Sequence, residues 1–113
     1  MADEKKTKKN QISDDVIAVC TSNAALQVQG VSSMDNIPAK NRIASQPPVK
    51  GVKVSYDNKR LVLDLYINVE YGCKIPEVSW NLQENVKNTV EDLAEIKVYK
   101  VNIHVQGVDF NNE

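Results

Sequence analysis

"VKVSYDNKRLVLDLYINVEY", Val52–Tyr71, decides the fold. Val52, Val54 and Tyr56 alternate with polar residues, "DNK" supplies turn chemistry, and a longer alternating run follows. Alternation with period two around a short polar break predicts a β-hairpin. On the second strand Leu61, Leu63, Leu65, Ile67, Val69 and Tyr71 point one way, and Val62, Asp64, Tyr66, Asn68 and Glu70 the other. One face is therefore expected to form a core and the other to be mostly wet.

The period then changes. After "YGCK", Val78, Leu82, Val86, Val90 and Leu93 recur at helical spacing and make one apolar stripe. Gly72 lets the chain turn out of the strand, and Pro76 suits the first turn of a helix, where its missing N–H costs nothing. "KVYKVNIHVQGV" returns to period two, with Tyr99, Val101, Ile103 and Val105 on one face and Asn102, His104 and Gln106 on the other.

Before the hairpin, "ISDDVIAVCTSNAAL" reads as a helix. Ser13 is placed to cap it, and Asp14 and Asp15 suit the positive end of its dipole. Ile12 and Ile17 have the spacing of a hydrophobic staple. Its expected buried face holds Val16, Ile17, Val19, Cys20 and Ala24. Leu26 and Val28 suggest a short strand ending near Gly30 or Val31, followed by a Pro-rich loop to Lys50 with room for a helical turn. The expected architecture is α+β: a small two-layer domain in the order α-β-β-β-α-β, both helices on one face of a mixed sheet. Residues 1–11 are charged and nearly without apolar side chains, and are expected to form a disordered polar tail, with the domain at 12–110.

The 113 residues carry a net charge of −1, so no global field favours nucleic acid or a membrane surface. The chain starts with a Lys-rich polar run that no apolar stretch follows, which predicts a cytoplasmic protein. Cys20 and Cys73 have no zinc spacing, and His104 is the only histidine, so neither metal nor cofactor is expected. A phosphate loop at "YGCKIP" would need more glycine and more free N–H groups, and a Cys73–His104 pair has no support in spacing. That segment reads as a structural corner.

Trp80 is the more informative residue. At 100° per residue it lies opposite the apolar stripe, with Glu84, Lys87 and Glu91. Two readings are open: it folds back over a loop or sheet edge, or it is an exposed anchor for a partner. Between 36 and 60 the bases Lys40, Arg42, Lys50, Lys53, Lys59 and Arg60 face only Asp57, whereas acids predominate from 61 onward. The basic region allows a second function, RNA binding, with Tyr56 and Tyr66 as the available aromatics. No GXXG clamp accompanies them, and nucleic acid is the weaker expectation.

"LDLYINVEYGCKIPEVSWNLQENVK" (63–87) and "VYKVNIHVQGVDF" (98–110) closely resemble the signature segments of the alkaline shock protein family, also called Gls-type general stress proteins, of Gram-positive bacteria. "SDDVIAVCTSNAALQVQGV" and "KGVKV" resemble its opening helix and hairpin start. Trp80 stands where the family usually has a polar residue. The resemblance implies a non-enzymatic interaction or scaffold protein of the envelope stress response. It implies protein partners, one of them membrane-anchored, and homo-oligomers in some members. It supplies no catalytic residues. The partner-binding candidates are Trp80, Glu84, Lys87, Glu91, Lys40 and Arg42.

Overall fold

The computed structural model describes residues 13–41 and 49–110. The elements are α1 (Asp14–Leu26), β1 (Val31–Met34), a 3-10 turn (Ala39–Asn41), β2 (Val52–Asp57), β3 (Arg60–Glu70), α2 (Ile75–Ala94) and β4 (Val98–Asp109). The order is the expected α-β-β-β-α-β.

β3 organises the sheet. Along one edge it pairs in parallel with β4. Its other edge is shared: β2 takes the first half and β1 the second, both antiparallel. The handover falls at Tyr66, whose N–H donates to Gly51 C=O and whose C=O accepts from Asp35 N–H, both at 2.8 Å. The β2–β3 turn turns on Asn58 and Lys59, both at positive φ, as a two-residue hairpin of right-handed twist requires.

The core lies between the sheet and the helices. Leu61, Leu63, Leu65, Ile67 and Val69 of β3 are fully buried against Val78, Leu82, Val86 and Val90 of α2 and Ile17, Ala24 and Ala25 of α1. The α2 stripe ends on Ala94 rather than Leu93, which is exposed. Ala94 continues the four-residue steps of Val78, Leu82, Val86 and Val90, so the buried line itself winds around α2 to its last turn.

α1 buries a different face from the one its large residues suggested. Ile17, Ala18, Thr21, Ala24 and Ala25 are inside, while Val16 and Val19 are exposed. Small side chains let the two helices approach, and Asn85 Nδ2 reaches Ala24 C=O at 2.8 Å. Buried Thr21 is satisfied by donating to Ile17 C=O. Ser13 caps α1 by accepting from Val16 N–H. Ile12 and its staple lie outside the described residues, as does the tail.

The expected strand at Leu26–Val28 is the end of α1 and a following turn; β1 begins only at Val31. Val28 joins the core from this turn, and its N–H still bonds back to Ala25 C=O. Gly30 accordingly precedes a strand instead of ending one, and Gly107 sits inside β4.

Tyr56 ties the hairpin to α1 by donating to Asp14 Oδ1 at 2.9 Å. Burial, then this bond and the Asp14 charge, push its phenol up to about 12. An unfolded tyrosine titrates near pH ~10. The folded chain therefore holds this proton more tightly. The resulting stabilisation is complete below about pH 10 and is lost as pH rises through about 12. Tyr56→Phe is expected to flatten the fall of unfolding free energy across that window, measured by urea denaturation at a series of pH values. Equal slopes for both proteins would contradict this.

Candidate interaction surface

The far face of the sheet is not simply wet. Tyr66 is 2% exposed. Its ring stacks on His104, with centroids 4.3 Å apart, and its hydroxyl accepts from Asn41 Nδ2 of the 3-10 turn. Asp64 Oδ1 holds both His104 Nε2 at 3.0 Å and Asn102 Nδ2 at 3.1 Å. Asn68 Nδ2 donates to Ser33 Oγ. This polar layer binds β1, β3, β4 and the 35–41 segment together.

These contacts bear on the enzymatic and RNA readings. Cys73 packs against the core on the helix side, whereas His104 stands on the far face, so the sheet separates them. Cys20 is also a free thiol, and burial pushes it up, away from the reactive thiolate. Among the described residues no group of three or more His, Cys, Asp or Glu could hold a metal ion. In the register of the sheet, Tyr56 shares the helix side with Val52 and Val54, while Tyr66 lies on the opposite face. The two rings cannot form one stacking platform.

The strand-to-helix junction is a corner with a cleft. Gly72 turns at positive φ, and Cys73 N–H bonds back to Glu70 C=O. Gly30, Tyr71, Cys73, Lys74, Glu77 and Asn81 line a cleft of about 400 Å³. Tyr71, expected to point into the core, lies beyond the strand, exposed and stacked on Phe110.

The predicted partner residues fall into three groups. Trp80, at 62% exposure, shares the outer face of α2 with exposed Glu84 and Lys87. Lys40 is exposed on the 3-10 turn, apart from that helix face in the chain, and Arg42 lies outside the described residues. Glu91 differs from the others. It is half-buried, and its Oε2 accepts from Val98 N–H at 2.9 Å, bracing the end of α2 against the start of β4.

The sequence reading missed a second exposed apolar region. Val105 and Val108 stand 36% and 44% exposed on β4, with Tyr71 and Phe110 at its end. Two register shifts along the β3–β4 pair caused the omission. One displaces Tyr99 from the face of Val101, and Arg60 sits 3.7 Å over its ring. The other leaves Gln106 without an opposite residue, so Val105 and Val108 share a face at a spacing of three. That spacing is the one signal in the sequence that could have shown the bulge.

A family model for alkaline shock protein 23, described as having a cell envelope-related function, matches residues 2–110. The chain belongs to this family. Relatives include the uncharacterized protein YloU of Bacillus subtilis, 37% identical over 122 residues and 99% of each chain. An uncharacterized protein of Streptococcus pyogenes is 38% identical over 98 residues, 86% of this chain and 76% of its own. Among solved structures, the CTD of MamM in a copper form superposes with a TM-score of 0.53 at 12% identity, covering 88% of this chain and 91% of that one. A variant of the same domain gives 0.54, covering 86% and 100%. At that identity the likeness is one of fold alone. Among the described residues of this alkaline shock family member, no helix is long and apolar enough to cross a membrane.

Proposed function

We propose that this chain is a non-enzymatic contact domain of the envelope stress type, working through protein partners at the outer face of α2. The observation that carries this reading is Trp80. The core is filled from the opposite side of the helix by Val78, Leu82, Val86, Val90 and Ala94, so packing gives no reason for an indole at this position. A large exposed aromatic among Glu84 and Lys87 matches the composition of an interface anchor inside a polar rim. The family's cell envelope-related description supports a partner at the envelope. A membrane-anchored partner would hold the domain at the cytoplasmic surface of the envelope.

The test is capture of partners from native membrane and cytosolic fractions, read by mass spectrometry, with wild type and Trp80→Ala. An interface anchor of this kind contributes about 2 kcal/mol or more, so the truncated protein is expected to lose its principal partner. An unchanged partner set would sink the reading.

A further inference from the structure

The helix layer and the far face of the sheet differ in charge. Exposed Asp15 on α1 and exposed Glu77, Glu84 and Asp92 on α2 make the helix layer acidic, and Lys87 is the only base in either helix. The far face is basic at its hairpin end. In the register of the sheet Lys53 stands opposite Asp64 and Lys100 opposite Val62, on the side away from the helices. Arg60 joins them, as alternation from buried Leu61 requires, and Lys59 is exposed in the adjoining turn.

The acids nearby are already engaged. Asp57 pairs with Arg60 at 3.9 Å, and Asp64 holds His104 and Asn102. Lys53, Lys59 and Lys100 make no ion pair among the described residues. At physiological ionic strength, charges more than about 8 Å apart are largely screened. The sheet separates this basic end from the acidic helices, so the net charge of −1 does not describe what it attracts. Tyr99 sits within the cluster. It is 42% exposed, with Arg60 3.7 Å over its ring and the Lys100 ammonium 5.5 Å from its centroid.

We propose that the hairpin end of the far face docks on an anionic membrane surface, its cations on lipid phosphates and Tyr99 at headgroup level. This goes beyond the contact-domain reading and does not depend on Trp80. Charge complementarity selects an anionic occupant, and each lysine or arginine near such a surface strengthens partition about fivefold. A tyrosine with an apolar ring and a polar tip suits the interface. Single-stranded RNA would need open rings on which bases stack. Arg60 covers one face of Tyr99, and Tyr66 is buried beneath the 35–41 segment. The charge pattern also sets an orientation. Glu70 and Asp109 make the opposite end of the far face acidic, so the domain rests on its hairpin end. The acidic helices then point away from the lipid and leave the outer face of α2 open to a protein.

Vesicle co-sedimentation of the full chain tests the docking, with mixed phosphatidylglycerol–phosphatidylcholine vesicles against phosphatidylcholine alone. Wild type is expected on the anionic vesicles only, and less of it as salt is raised. Lys59→Gln and Lys100→Gln, both at exposed sites, are each expected to weaken partition about fivefold and together about 25-fold, with circular dichroism confirming the fold. Glu84→Gln on the helix layer should leave it unchanged. Trp80 is the only tryptophan, so its emission reports orientation and is expected to stay unquenched by brominated lipid. No binding to anionic vesicles in low salt, or equal binding to neutral ones, would overturn the proposal. So would binding that survives the double substitution, which would place the contact on Lys5, Lys6, Lys8 and Lys9 of the tail. Quenching of Trp80, or release from the vesicles by single-stranded RNA at equal phosphate concentration, would overturn it as well. The vesicles contain no protein, so the contact-domain reading stands or falls separately, on the capture experiment.

Discussion

Gly51→Ala is expected to lower the unfolding free energy by about 3 kcal/mol, the sum of backbone strain and overpacking. Gly51 has φ +81, and a Cβ there would stand 2.8 Å from Asp35 O, 2.9 Å from Tyr66 O and 3.0 Å from Met34 Cβ. Two of those atoms are backbone and cannot rotate away. They belong to the handover at Tyr66, where β2 leaves one edge of β3 and β1 takes it up, so relief of the clash must loosen one of the two pairings. Gly72 is the control. It too has positive φ, but nothing lies within 4 Å of its missing Cβ. Gly72→Ala is therefore expected to cost strain alone, about 1–2 kcal/mol. Urea denaturation of the two variants provides the comparison. A Gly51 variant no less stable than the Gly72 variant would contradict the handover as the point of closest approach.

Leu65→Ala is expected to cost about 3–4 kcal/mol, within the range for large-to-small changes in a core. Leu65 is fully buried in the middle of β3, opposite Val52 on one side and Ile103 on the other. A cavity there is walled by paired strands and by the α2 stripe, so the site collapses poorly. Leu93→Ala should change stability by only about 0.5–1 kcal/mol, because Leu93 faces water at the end of α2. The same denaturation series measures both. Comparable losses at the two positions would mean that the core extends to the last turn of α2 after all.

The pattern of Leu61 to Val69 was legible because alternation survives on a strand paired along both edges. α2 was legible because its stripe keeps to four-residue steps, which run on to Ala94 where side-chain size had suggested a three-residue step to Leu93. α1 was misread in detail: side-chain size suggested Val16 and Val19, but a close helix–helix contact selects small residues such as Ala18, Ala24 and Ala25. Leu26 and Val28 alternate by coincidence at a helix end. Tyr66 was assigned to a wet face because the segment that covers it, from Asp35 to Asn41, carries no period of its own. At the candidate surface, helical spacing alone sufficed to put Trp80, Glu84 and Lys87 on one outer face. Glu91 fits the same spacing yet is occupied by Val98 N–H, a tertiary contact that spacing does not reveal.

We propose the outer face of α2 as the working surface of the domain. Its most direct test is photo-cross-linking in the native cell, with a photoreactive residue placed in turn at positions 84 and 87 and, as a control, at exposed Lys59 in the β2–β3 turn. The account predicts a shared cross-linked protein from 84 and 87 and none of it from 59. Cross-links from 59 alone, or equally from all three positions, would contradict it.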